Sequence, residues 1–166
     1  MKVLITGPCG SGKTTLMEEL DKRGYETSLK VEKEFWFEGS PKERTDFERM
    51  ILTKRLKIYD AIKDKPLVFF DRGVFDPIAY RKFLGQEIPE DYREIAKTYR
   101  YDKVFITEPL DTHEPNPERD HLIKNSEDAR KWYSFMLETL REFGYSPVVI
   151  KNMSVEDRIA FVMQNL

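Results

Sequence analysis

Eight residues near the amino end, Gly7-Pro8-Cys9-Gly10-Ser11-Gly12-Lys13-Thr14, restrict what this chain can fold into more than any other feature. Before them stands a short apolar, β-rich run, Val3-Leu4-Ile5, and after them Leu16, Met17 and Leu20 line one face of a helix that stops near Gly24. The spacing Gly-x-x-x-x-Gly-Lys-Thr between a strand and a helix is the P-loop pattern. A chance match in a chain this long is on the order of one in a hundred or less. Its chemistry explains its residue types. Glycines let the backbone turn its N–H groups inward onto phosphate oxygens, and the helix N-terminus adds positive potential. Lys13 is expected on the β- and γ-phosphates of ATP (or GTP), with the Thr14 hydroxyl as a ligand of Mg2+. The nucleotide-binding set is then Gly7, Pro8, Cys9, Gly10, Ser11, Gly12, Lys13, Thr14 and Thr15.

The rest of the chain repeats the strand–helix alternation. Apolar β-rich runs fall at 3–6, 27–31, 67–70, 104–107 and 148–150. Between them lie helical periods. Phe47, Ile51, Ile58 and Ile62 define a long second helix, and Ala129, Trp132, Met136 and Leu140 form a stripe expected to start at Ser126 and end at Gly144. A last helix opens at Ser154, with Asp157 three residues on as its capping signal. Strands that read as unbroken apolar runs belong to a parallel sheet covered on both faces, which predicts a three-layer α/β sandwich. At 166 residues, with no repeat or linker, one domain over 1–166 is expected. Residues 108–125 are polar, contain three prolines and have no apolar period, which marks a functional lid or a disordered segment. Two short helical pieces are expected between the third and fourth strands, around 77–84 and 89–99.

Net charge is −2, so no basic excess advertises nucleic acid. The single cysteine, Cys9, has no partner for an internal disulfide, and no apolar run approaches membrane-spanning length. With the nucleotide loop so close to Met1, no signal peptide is expected, and the default location is the cytoplasm.

A magnesium–phosphate site needs a carboxylate at the end of a neighbouring strand, and Leu67-Val68-Phe69-Phe70-Asp71 supplies one. Thr14 and Asp71 are therefore the expected metal residues. Hydrolases of the AAA or helicase kind place Glu directly after that Asp to activate water, whereas here Arg72 follows. The Asn-Lys-x-Asp of guanine-specific GTPases and the Leu-Ser-Gly-Gly signature of transport ATPases are both missing. What remains, Asp71-Arg72-Gly73, has the look of a small-molecule kinase.

At this point the chain resembles a known group. The P-loop, Asp71-Arg72-Gly73, the following Asp76-Pro77-Ile78-Ala79-Tyr80, and Tyr99-Arg100-Tyr101-Asp102 before a Val-Phe-Ile strand are similar to a family of small P-loop proteins described as predicted ATPases or kinases. That family includes the ribosylnicotinamide kinase domain of the bacterial NAD regulator, with thymidylate and deoxynucleoside kinases as more distant relatives. The resemblance implies a five-stranded sheet of the nucleoside/nucleotide-kinase type, with the second and third strands to one side of the first. It also implies an acceptor site near the second strand, where relatives carry an acid and this chain has Lys30. Glu32 and Glu34 stand nearby, one of them as a replacement, and Trp36, in Phe35-Trp36-Phe37, is either a ring to stack on the acceptor or part of the core.

Other signals are weaker. Arg119, in the expected lid, is a candidate to close on the transferred phosphate, or else a solvated loop arginine. His113 and His121 flank it at a spacing that matches no established zinc motif. The run Lys54, Arg55, Lys57 reads as the wet face of a helix. The expected catalytic set is Lys13, Asp71, Arg72 and Arg119. The expected reaction is transfer of the γ-phosphoryl group of ATP to a hydroxyl of a nucleoside- or nucleotide-like small molecule. Two alternatives stand beside it: a nucleotide-switched binding module with weak hydrolysis, and a polynucleotide kinase that would use Lys30, Lys33 and Lys42 around an open cleft.

Overall fold

Period-2 alternation along the strands sends their side chains into two separate cores. Strands β1 (Lys2–Thr6), β2 (Glu26–Thr27), β3 (Val68–Asp71), β4 (Lys103–Thr107) and β5 (Val148–Ile150) form one parallel sheet of order β2-β3-β1-β4-β5. The computed structural model describes residues 1–29, 44–110 and 123–166. Val3 and Ile5 point to one face with Phe69 and Phe105, while Leu4 points to the other with Val68, Phe70, Val104 and Ile106. Central β1 is apolar without interruption because both its faces are covered; Val3, Leu4 and Ile5 have no exposed surface.

The first face is closed by α1 (Lys13–Lys22), through Leu16, Met17 and Leu20, and by α6 (Val155–Gln164), through Ile159 and Val162. The second is closed by α2 (Arg44–Ile62), α3 (Asp76–Phe83), α4 (Glu90–Thr98) and α5 (Ser126–Glu142). Trp132 on α5 is fully buried there, against Tyr80 of α3 with ring centroids 5.2 Å apart. Those are the three layers of a P-loop NTPase sandwich, and β2 and β3 lie on one side of β1 as a kinase-type sheet requires.

Three local expectations change. The run at 27–31 does not continue as a strand: β2 ends at Thr27, and Ser28 and Leu29 are helical. The reason is a substituted hydrogen bond, since the Asp71 amide donates to Ser28 Oγ at 2.9 Å and needs no further strand carbonyl. Helix α5 is capped by Asn125, one residue before the expected Ser126; extended Asn125 accepts from the Asp128 amide at 2.8 Å. Phe47 stays 48% exposed and does not join the apolar face of α2. The Ser154 cap of α6 forms as expected, accepting from the Asp157 amide. Of the expected lid, 111–122 lie outside the described residues, and Ile123, just after them, is fully buried.

Candidate functional site

Sheet register brings the chemistry together. Asp71 pairs with Ile5, Thr6 with Ile106, and Thr107 with Ile150, so β1, β3 and β4 present Thr6, Asp71 and Thr107 at one carboxyl-end edge. The loop from Gly7 to Gly12 rises from that edge and feeds α1. Gly7 has φ +151°, and a Cβ there would lie 2.0 Å from Thr107 Oγ1, so only glycine lets the loop pass so close to β4. Gly12, at φ +77°, caps α1 in the left-handed region.

Buried hydroxyls fix the loop from beneath. Ser11 Oγ lies 2.6 Å from Thr107 Oγ1 and 2.9 Å from the Pro8 carbonyl, to which it donates; Thr107 Oγ1 reaches the Thr6 carbonyl at 3.3 Å. From the other side, Arg158 of α6 donates through a guanidinium nitrogen to the Ser11 carbonyl at 2.7 Å. It also donates to the Met153 carbonyl at 3.2 Å and to Asn152 Oδ1 at 3.4 Å. Arg158 is only 5% exposed, and burial lowers its pKa. No carboxylate among the described residues pairs with it, so its charge is answered by the Ser11 and Met153 carbonyls and Asn152 Oδ1.

Lys13, 5% exposed, lies along the loop with Nζ 3.4 Å from the Pro8 carbonyl. Burial, and then the Arg72 charge, depress its pKa to about 8, while Asp71, Asp76 and Cys9 pull the other way. Thr14 and Thr15 are exposed at the start of α1, and Cys9 is half-buried in the loop. An anion arriving at the loop would meet the first turn of α1 and the ammonium of Lys13 together.

At the end of β3 the chain turns sharply. Arg72 has φ +62°, uncommon for a side-chain-bearing residue and costing on the order of 1 kcal/mol or more. The turn directs its guanidinium onto Asp76, 3.0 Å away, and over the Trp132 ring at 5.7 Å. Burial opposes the charge of Arg72, but Tyr80, Asp76 and Asp71 outweigh it and raise the pKa above its ordinary value. Asp76 is fully buried at the start of α3 and accepts from Thr6 Oγ1 at 3.1 Å and from the Gly73 amide at 2.8 Å. A second arginine, Arg55 of α2, stands 4.0 Å from it and donates to the Gly73 carbonyl at 2.9 Å. Burial works against ionisation of Asp76, yet Arg55, Arg72 and the Gly73 amide together hold its pKa below the usual carboxylate value.

Asp71 differs from Asp76. Its Oδ1 is buried and accepts no hydrogen bond from any group among the described residues. A buried carboxylate oxygen left without a donor is costly and calls for a missing partner. A hydrated Mg2+, bound through one or two carboxylates plus phosphate oxygens, fits that need. Asp71 and Thr14 are the residues that would hold it.

Beside Asp71 and Arg72 opens a cavity of about 210 Å3 between β3 and α2. Ile51, Ile58 and Phe70 give it an apolar lining, and Ser28, Lys54, Arg55 and Tyr101 bring polar groups. The sequence places Lys54 and Arg55 on a solvated helix face, but Lys54 is 7% exposed and the Arg55 side chain 17%. Lys57 alone of the three is exposed. Asp76, Arg55, Lys54 and Arg158 are thus site residues that sequence reasoning did not assign. The one local signal was the Arg72–Asp76 spacing, four residues apart at a helix start. Arg119, Glu32, Glu34, Trp36 and Lys30 lie outside the described residues, as do His113 and His121.

Comparison with known proteins gives the same picture. A family model described as an AAA domain matches residues 2–158. No curated protein matches. Among solved structures, thymidylate kinase from Ehrlichia chaffeensis is similar, with a TM-score of 0.64 and 15% identity over 99% of this chain and 97% of that one. Deoxyadenosine kinase from M. mycoides, with the products dCMP and dCDP bound, has a TM-score of 0.63 and 19% identity over 99% and 98%. The NadR protein in complex with NR has a TM-score of 0.61 and 17% identity over 98% of this chain and 49% of that one. At these identities the likeness is one of fold, while the family match spans nearly the whole chain and carries the loop. The chain belongs to this AAA-domain family of P-loop proteins, in the kinase-like form of the fold.

Proposed function

We propose that the protein is an ATP-dependent phosphotransferase that moves the γ-phosphoryl group to a hydroxyl of a nucleoside- or nucleotide-like small molecule. One observation carries the reading: the cavity is lined by Asp71 and Arg72, whose charges are among those that act on the P-loop's Lys13. A donor phosphate on the loop and an acceptor in the cavity would therefore share one electrostatic environment. Arg72 stands where the water-activating glutamate of AAA hydrolases would stand, so the site favours a bound acceptor over water.

Catalysis here is chiefly positioning and charge neutralisation. The backbone amides of the loop and Lys13 hold the β- and γ-phosphates. Magnesium, when bound by Thr14 and Asp71, neutralises phosphate charge. Arg72, fixed by Asp76, faces the oxygens between donor and acceptor, and Arg119 is assigned to the same charge from the lid. The acceptor oxygen bonds to the γ-phosphorus, and the bond from that phosphorus to the β–γ bridging oxygen breaks. ADP leaves with the electron pair, and the acceptor's hydroxyl proton passes to solvent, with Asp71 given to the metal shell. Supplied with ATP, magnesium and a panel of nucleosides and nucleotides, the protein is expected to yield one phosphorylated compound by mass spectrometry. ADP formed in equal amount with every acceptor, and no phosphorylated product, would refute transfer.

A further inference from the structure

Thr107 follows Val104-Phe105-Ile106 at the end of β4, and it has no exposed surface. Valine has the same shape and suits a buried strand at least as well. A hydroxyl there is unfavourable unless it is hydrogen-bonded. The partners of Thr107 Oγ1 are the Thr6 carbonyl at 3.3 Å, just before the nucleotide loop, and Ser11 Oγ at 2.6 Å, inside it. The hydroxyl therefore serves the loop. It also sets how low the loop can sit on β4. Two hydroxyls approach to 2.6 Å only because they share a proton; a methyl group in place of either oxygen needs about 3.5 Å or more.

The loop needs that support at one carbonyl above all. A P-loop binds phosphate with its amides turned inward and its carbonyls turned away. Pro8 has no N–H to offer, so its carbonyl has to be held off the phosphates. Three donors hold it: Ser11 Oγ at 2.9 Å, Lys13 Nζ at 3.4 Å and the Ser11 amide at 3.5 Å. Lys13 is drawn to the phosphates when a nucleotide binds, and the amide contact is long. The Ser11 hydroxyl makes the shortest of the three bonds, and nucleotide binding leaves it in place. With the single Ser11 proton on Pro8, the short contact to Thr107 is attractive when Thr107 donates to Ser11 Oγ. Donation then runs in one direction, Thr107 to Ser11 to Pro8, each bond polarising the next.

We infer that Thr107 is a positioning residue for phosphate binding: its hydroxyl anchors Ser11 on β4, and Ser11 in turn holds the Pro8 carbonyl away from the phosphates. The role rests on the nucleotide-binding part of the phosphotransferase reading, whatever the acceptor is.

Thr107→Ser and Thr107→Ala both lose the methyl and differ only in the hydroxyl, so the pair isolates the bond from the packing. Calorimetry with magnesium and a non-hydrolysable ATP or GTP analogue reads the effect, with melting temperatures of the ligand-free variants measured alongside. A parent protein that binds neither analogue would remove the nucleotide reading itself, and this role with it. With a parent that binds, Thr107→Ala should bind about threefold or more weaker than Thr107→Ser. Ser11→Ala should weaken binding about threefold or more in the Thr107→Ser background and clearly less in the Thr107→Ala background, since both changes break one chain. Serine and alanine variants that bind alike overturn the role, even where their melting temperatures differ, because the hydroxyl would then stabilise the fold alone. Equal costs of Ser11→Ala in the two backgrounds overturn it as well. If Thr107→Ala does not fold, Ser11→Ala in the parent decides: a loss smaller than about threefold overturns the role, and a larger one upholds it.

Discussion

At the scale of single residues, Lys13 is the most informative titrating group. Its pKa of about 8 reflects burial first and Arg72 second. Phosphates arriving next to it would favour the charged form, so nucleotide binding should take up part of a proton at pH 8–9 and weaken as pH rises further. Calorimetry of ATP–magnesium binding at pH 8.5 in buffers of different ionisation enthalpy should show that uptake, and Lys13→Arg should abolish it. Enthalpies that do not vary with buffer would mean that Lys13 is already fully charged. The folding linkage has the same origin. Because the folded pKa is depressed, the unfolded chain binds more protons between about pH 8 and the ordinary lysine value of 10.5, and stability should rise with pH across that window. Asp71 makes a second case. Asp71→Asn keeps the shape but loses the charge that would answer the metal, so magnesium-dependent nucleotide affinity should fall about 10–100-fold. A magnesium titration that overlays the parent's would move the metal role to Glu108, just past β4. Both residues were legible in the sequence because their positions are local: one ends an apolar strand, the other opens a helix. Arg55, Lys54 and Arg158 were not. Their roles depend on what packs opposite, 147 residues away along the chain in the Arg158–Ser11 contact.

At the scale of elements, α6 acts as a strap on the nucleotide loop. Arg158 lies in the first full turn after the Ser154 cap and reaches the Ser11 carbonyl, one residue before the helix-starting Gly12. Arg158→Met would leave that carbonyl without its donor, at a cost of about 1–3 kcal/mol, and free the loop to rearrange. The rise in melting temperature that ATP–magnesium produces should therefore shrink in Arg158→Met and partly recover in Arg158→Lys, which keeps the charge without the forked geometry. An unchanged rise in both variants would reduce the contact to a fold-stabilising one. The rest of the element level was largely readable, because strands buried on both faces are continuous apolar runs and helices show their periods. It went astray where a side chain replaced a backbone partner. Ser28 Oγ ends the β2–β3 ladder, and Asn125 takes the cap that Ser126 seemed placed to take. Neither exchange has a signature in local composition. Phe47 shows the opposite failure, an apolar residue in the right period that stays exposed.

At the scale of the whole molecule, the three functional classes predict different responses of turnover to what surrounds the protein. Arg72 rather than glutamate follows Asp71, and its guanidinium is committed to buried Asp76, so the position after Asp71 supplies no base to activate water. ATP hydrolysis without acceptor should be slow, well below the roughly 1–100 per second typical of kinases with their acceptor. Adding the right acceptor should raise ADP release by a factor of ten or more, and the effect should show only modest salt dependence because the acceptor is small. A polynucleotide acceptor would instead give stimulation that collapses steeply between about 50 and 200 mM salt, since many phosphate contacts are lost together. A nucleotide switch would give neither response, and the 108–125 segment would differ in protease sensitivity between the di- and triphosphate states. The decisive measurement is ADP release with and without the acceptor panel, repeated across salt. Rapid hydrolysis that no acceptor accelerates would mean that water reaches the γ-phosphate despite Arg72, and the protein would then be a nucleotide-hydrolysing regulator.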